Sequence, residues 1–189
     1  MKMKPLLICA ATLAFAAPTI HAQASPPATA TGTIGGKSIS IKYSAPSVKG
    51  RKIFGEGGRV MQDPIAPIWR AGANSATALH LDGDMLIGSI TVPAGDYTLF
   101  INVKDADNWV LIVNKQTGQW GLSYDESKDL GRTKMTMSKP PALVETLKYT
   151  ITDAGGGKGN LTIEWENHVA SVPLVAVAVG DRVRGTSPK

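Results

Sequence analysis

Cysteine is nearly absent from this chain. The only one, Cys9, lies inside an apolar run near the N-terminus and follows Ile8, where a lipid-anchoring cysteine would need a small residue before it. Beyond that run, disulfide staples, thiolate nucleophiles and zinc–thiolate sites are excluded. Histidine is almost as scarce. His21, His80 and His168 are the only three, and no His-x-His or His-x-x-x-His spacing brings zinc ligands together. His80 is expected on the face opposite Leu79 and Leu81, and His168 in a turn, both as ordinary surface residues. No Gly-x-Ser-x-Gly elbow is present to seat a hydrolase serine. A basic stripe is lacking too: the one tight group, Lys49, Arg51 and Lys52, sits in a Gly-flanked loop and reads as solvated, so no nucleic-acid partner is expected.

The apolar run itself, residues 6–17, is about a dozen residues long, well short of the roughly 20 that cross a bilayer as a helix. Met1-Lys2-Met3-Lys4 places positive charge before it, and Ala22-Gln23-Ala24 offers small residues where a signal peptidase cuts. Residues 1–24 are therefore expected to be a signal peptide, with no membrane span after cleavage. The mature protein would be periplasmic or extracellular.

Strand patterns fill what remains. Residues 25–30, rich in Pro and Ala, read as a flexible leader. Gly35-Gly36 suits a tight hairpin turn, and Ile39, Ile41 and Tyr43 alternate with polar residues after it. Residues 44–67 form a long irregular segment, of the kind that is often functional or mobile. Thr77, Leu79 and Leu81 alternate next, residues 85–92 read as one strand, and Tyr97, Leu99, Ile101 and Val103 give the cleanest alternation. Residues 109–113 are continuously apolar, the mark of a strand covered on both faces. Met135 and Met137 are expected on one face of a strand over residues 132–138. Further strands follow around Tyr149, Ile163 and Val175, and residues 180–189 are expected to be a disordered tail.

About nine or ten short strands separated by turn signals, with no helical segment, predict an all-β fold. An antiparallel β-sandwich over residues 31–179, jelly-roll-like or immunoglobulin-like, is expected as a single domain, with a closed barrel as the alternative.

Three stretches carry a resemblance. They are Trp69-Arg70-Ala71-Gly72-Ala73-Asn74-x-Ala76-Thr77, then Pro93-Ala94-Gly95-x-Tyr97-x-Leu99-Phe100, and residues 114–125 with Asn114, Trp120-Gly121 and Tyr124-Asp125. Together they resemble a bacterial exported family catalogued as domain of unknown function 2911, over roughly residues 33–177. The resemblance implies an exported β-rich domain and brings no activity or catalytic residue with it.

Motifs for chemistry are thin. Asp105-Ala106-Asp107-Asn108 opens like a calcium loop but lacks the turn glycine and the distal Glu. Gly155-Gly156-Gly157-Lys158-Gly159 lacks the Ser or Thr that a phosphate loop places after its lysine. No metal or other cofactor is expected. Paired carboxylates for glycoside hydrolysis could come from Asp125, Glu126 or Asp129 in one loop, or from Glu164 and Glu166 beside Trp165. The remaining signal is Trp and planar polar groups near turns. Arg70, Asn74, Asn114, Trp120, Tyr124 and Asp125 are expected to meet at one end of the sandwich, with Arg70 and Asp125 paired or gripping a ligand together. The alternative for Trp69 and Trp120 is that they plug the ends of the core. The expected function is an exported, non-catalytic binding module for a carbohydrate, peptide or envelope ligand. Its rivals are a carboxylate-dependent hydrolase of such polymers, acting through Asp125 or Glu126, and a purely structural envelope protein.

Overall fold

The structure, a computed structural model, describes residues 25–177. The expected signal peptide and the C-terminal tail lie outside the described residues. Thirteen strands form two antiparallel sheets. In chain order they are β1 (Pro27–Ile34), β2 (Lys37–Ser44), β3 (Ile68–Trp69), β4 (Thr77–Leu81), β5 (Met85–Ile87), β6 (Ile90–Val92), β7 (Gly95–Asn102), β8 (Val110–Asn114), β9 (Asp129–Lys134), β10 (Thr136–Ser138), β11 (Val144–Gly155), β12 (Lys158–Glu166) and β13 (His168–Ala176). The first sheet runs β1-β2-β4-β7-β8-β9, with β3 also on β7. The second runs β11-β12-β13-β5-β6, with β10 on β13.

Alternation explains the packing. Ile39, Ile41, Leu79, Leu81, Leu99, Ile101, Leu111 and Val113 point inward from the first sheet, and Leu147, Tyr149, Leu161, Ile163, Val172 and Leu174 from the second. Each large apolar side chain taken out of water stabilises the fold by roughly 1.5–3 kcal/mol, so the two faces must meet. The sheets form a sandwich and do not close into a barrel. Where β9 nears β6, the link is Thr133 Oγ1 accepting from the Ser89 backbone N–H (3.1 Å) and bonding its hydroxyl (3.2 Å) instead of a strand ladder.

Several expectations are corrected. Residues 27–30 are not a leader. Pro27 to Ile34 pair residue for residue with Ser44 to Lys37, because backbone pairing does not require apolar side chains and an edge strand tolerates Pro. Residues 85–92 are two strands, a hairpin bent at Gly88, whose φ of 57° suits a residue without a Cβ. Residues 132–138 change sheets: β9 belongs to the first, β10 to the second, and Met135 at the crossing is buried while Met137 is only partly covered. The Gly35-Gly36 turn stands as read, with φ of 56° and 77°.

Two features place the site. Residues 115–128 fold over the outer face of β7 and β8, which buries Thr98, Phe100, Ile112 and Asn114 on the side away from the core. The long segment 45–67 closes one end of the sandwich. It is bridged to β11 through Ser47 and Thr146 and buries Val48, Ile53, Phe54 and Val60. Phe54 there packs on Trp69, Trp109 and Trp165 with ring centroids 5.2, 4.6 and 5.6 Å away. Such aromatic pairs add about 0.5–1.5 kcal/mol each beyond burial.

Candidate functional site

The expected site residues divide into two groups. Asn114, at the end of β8, is fully buried. Its amide N–H groups donate to the Asp125 carbonyl (2.9 Å) and to Asp129 Oδ1 (2.8 Å), and its oxygen accepts from the Gln116 N–H (2.9 Å). The Tyr124 hydroxyl donates to Asp129 Oδ2 (2.8 Å), accepts from Arg132 (2.7 Å), and its ring packs edge-on against Phe100 at 4.9 Å. Burial, then the Asp129 carboxylate, raise the Tyr124 hydroxyl well above its ordinary range. The Asp125 carboxylate caps the short helical turn Glu126–Lys128 by accepting from the Ser127 N–H (2.9 Å), and Ser127 holds it below the usual range. These three residues clasp the covering segment to the sheet.

Arg70, Asn74 and Trp120 form the second group. The Arg70 and Trp120 segments do meet: Ser75 bridges Trp120, the Gly121 N–H donates to the Asn74 carbonyl (3.0 Å), and the Ala76 N–H to the Gln119 carbonyl (3.2 Å). A Cβ on Gly121 would collide with Arg70 Cδ and the Asn74 carbonyl, which shows how closely the Arg70 stem lies under that turn. The expected Arg70–Asp125 pair is not formed. Arg70 donates to Asp63 instead, because Asp125 is committed to its cap while residues 58–63 turn back toward β3. Trp69 is buried, with its indole N–H donating to the Gly72 carbonyl (3.1 Å). Trp120 plugs nothing, being 54% exposed.

Beside Asn74 lies a cleft of about 240 Å³, walled in part by Arg51, Arg59, Asp63, Arg70 and Trp165. The loop that bears Asn74 is rigidly set: the Ala71 carbonyl accepts from Tyr149 Oη (2.6 Å) and Thr77 Oγ1 (3.0 Å). Arg51 is fixed by Nε donating to the Val48 carbonyl (3.0 Å) and Nη to the Ser47 carbonyl (2.6 Å). Among the described residues, the Arg59 side chain reaches only Gln62 Oε1, at 3.4 Å. Arg70 Nε and the indole N–H of Trp165 are buried without a hydrogen-bond partner among the described residues. Sequence reasoning missed Arg51, Arg59, Asp63 and Trp165 as one group. The signal was present in the basic residues at 49–52 and in the length of the irregular segment carrying them.

Elsewhere, His168 is not a turn residue. It opens β13, half-buried, stacked on Trp109 (5.2 Å, 16°), with Nδ1 3.2 Å from Glu166 Oε2 but out of line for a hydrogen bond. Glu166 is buried, and its other oxygen accepts from the Ile53 N–H (2.8 Å). Glu164 pairs with Lys148 at 3.4 Å. The outer face of the first sheet has a groove of about 500 Å³ containing an exposed His80–Asp96 pair, 2.8 Å apart. Asp105 accepts from the Asp107 N–H (2.9 Å) and the Asn108 amide (2.8 Å), an ordinary turn. Among the described residues no cluster of three or more His, Cys, Asp or Glu could hold a metal ion, and no helix is long and apolar enough to cross a membrane.

The class is thus an all-β, two-sheet sandwich with a polar cleft at the end closed by segment 45–67. The family model described as "Protein of unknown function (DUF2911)" matches residues 25–174, and the chain belongs to that family. Comparison with curated proteins and with solved structures returns no match.

Proposed function

We propose that this protein is a non-catalytic binding module working outside the cytoplasm, which takes a carbohydrate, peptide or envelope polymer at the cleft beside Asn74 and Trp120. The observation that carries the reading is Trp120, a large aromatic side chain left 54% exposed while its backbone is paired to the loop forming the cleft wall. Exposed aromatic faces beside fixed polar groups are the usual composition of a recognition patch. A rigid β scaffold presenting loops is the usual support. The carboxylates a hydrolase would use are engaged otherwise: Asp125 caps a turn, and Glu126 pairs with Arg132 at 2.8 Å.

Thermal-shift screening of the purified protein against envelope polysaccharides and peptides tests the binding half. A ligand that raises the melting temperature is expected to lose its effect in Trp120→Ala, which itself melts like the parent. Full retention of binding in that variant would remove the patch from the reading. For the export half, protein recovered from the periplasm or medium is expected to begin at or near Ser25, and an intact Met1 segment embedded in the membrane would end it.

A further inference from the structure

We propose that the end cleft binds an acidic saccharide, with the sugar carboxylate held by Arg51, Arg59 and Arg70; this rests on the recognition reading above and names its ligand class. The wall of the cleft offers three guanidinium groups and a single carboxylate, Asp63. Asp63 is bonded directly to Arg70, so the charges of Arg51 and Arg59 have no acidic partner among the described residues. Arg51 bonds only backbone carbonyls, which fix its plane without cancelling its charge. Arg59 has only the neutral Gln62 amide.

Trp165 is 4% exposed and Arg70 has a side chain 12% exposed, and the Trp165 indole N–H and Arg70 Nε have no acceptor among the described residues. Both atoms are closed to solvent, so a ligand meets instead the exposed guanidinium donors of Arg51 and Arg59, and these call for a group rich in acceptors. A carboxylate is acceptor-only and matches the planar fork of a guanidinium. The cleft, about 240 Å³, suits a group of the size of one sugar ring. Trp120 lies outside the cleft wall, but its backbone is bridged to Ser75, next to the cleft-lining Asn74, and its exposed ring is the aromatic face available to an adjoining sugar. That pairing of an anion pocket with a stacking platform favours a saccharide over a peptide or free phosphate.

Titration calorimetry on the purified protein is the test, with oligogalacturonate, its methyl ester, the neutral galactose oligomer, an acidic peptide and inorganic phosphate as probes. Oligogalacturonate is expected to bind, to weaken with added salt, and to lose at least tenfold in affinity on esterification. Arg59→Gln is expected to lose at least tenfold while melting like the parent, and Asp63→Asn to bind more tightly. Equal binding of the ester or neutral oligomer, abolished by Trp120→Ala, would overturn the acidic class and leave the recognition reading standing. Arginine-dependent binding of peptide or phosphate alone would overturn the saccharide. Oligogalacturonate binding untouched by both Arg59→Gln and Trp120→Ala would overturn both readings. No binding by any of these probes would overturn the acidic saccharide, while the recognition reading stands or falls on the wider thermal-shift screen.

Discussion

The Arg70 guanidinium donates to the Asp63 carboxylate with both side chains largely shielded, 12% and 15% exposed. Removing one partner leaves the other charge in a poorly solvated site. Asp63→Ala is expected to lower stability by about 1–3 kcal/mol, read as a lower urea midpoint at unchanged slope. A midpoint equal to the parent would mean that the pair adds nothing.

Asn114 and Asp125 are expected to behave oppositely despite lying in one loop system. Asn114→Ala removes three hydrogen bonds at a fully buried position and is expected to cost about 1–3 kcal/mol through the groups it orphans. Asp125→Ala removes an exposed cap and is expected to lower stability far less. Equilibrium unfolding of both variants checks the difference. A reversed order would show that Asp125, not Asn114, anchors the covering segment.

Leu99 and Ile101 are fully buried on the inner face of β7. Truncating either to Ala is expected to cost about 2–5 kcal/mol, from lost burial and the cavity left behind. Melting temperatures unchanged in both variants would contradict the register of β7.

Acid is expected to weaken the corner around His168. Burial holds the imidazole below its ordinary value of 6.5, outweighing the attraction of Glu166. The unfolded chain then binds the proton more readily. The stabilising contribution is complete above about pH 6.5 and is lost as pH falls through that value toward the folded-state one. His168→Phe keeps a ring against Trp109 and is expected to flatten the decline in melting temperature from about pH 7 to about pH 5.5. An identical slope in the variant would assign the effect to another group.

The strands that one alternating row defines were legible from residues alone. Leu79, Leu81, Leu99 and Ile101 point inward as their period-2 spacing requires. What alternation cannot carry is a second covering layer. Phe100 and Ile112 are buried on the outer face only because residues 115–128 fold over them, and local pattern is silent about distant segments. Pro27 to Ala30 looked like a leader because composition, not pairing, is visible in a chain of small residues. The placement of the candidate site was half legible. Arg70, Asn74 and Trp120 share one end, but the acid that Arg70 meets is fixed by the path of segment 45–67, which has no periodicity to read. Trp165 looked like a feature between two glutamates, yet Glu166 turns at φ 55° and directs its carboxylate into that segment.

That last contact changes what segment 45–67, the longest irregular stretch among the described residues, is. Loops without strands are ordinarily where amide protons exchange freely and proteases cut. Here the Ile53 N–H is buried and bonded to the Glu166 carboxylate, while Ile53 and Phe54 sit in the core. The Ile53 amide therefore exchanges with solvent only when the β12–β13 corner opens with it, so the segment shares the lifetime of the two strands that clamp it.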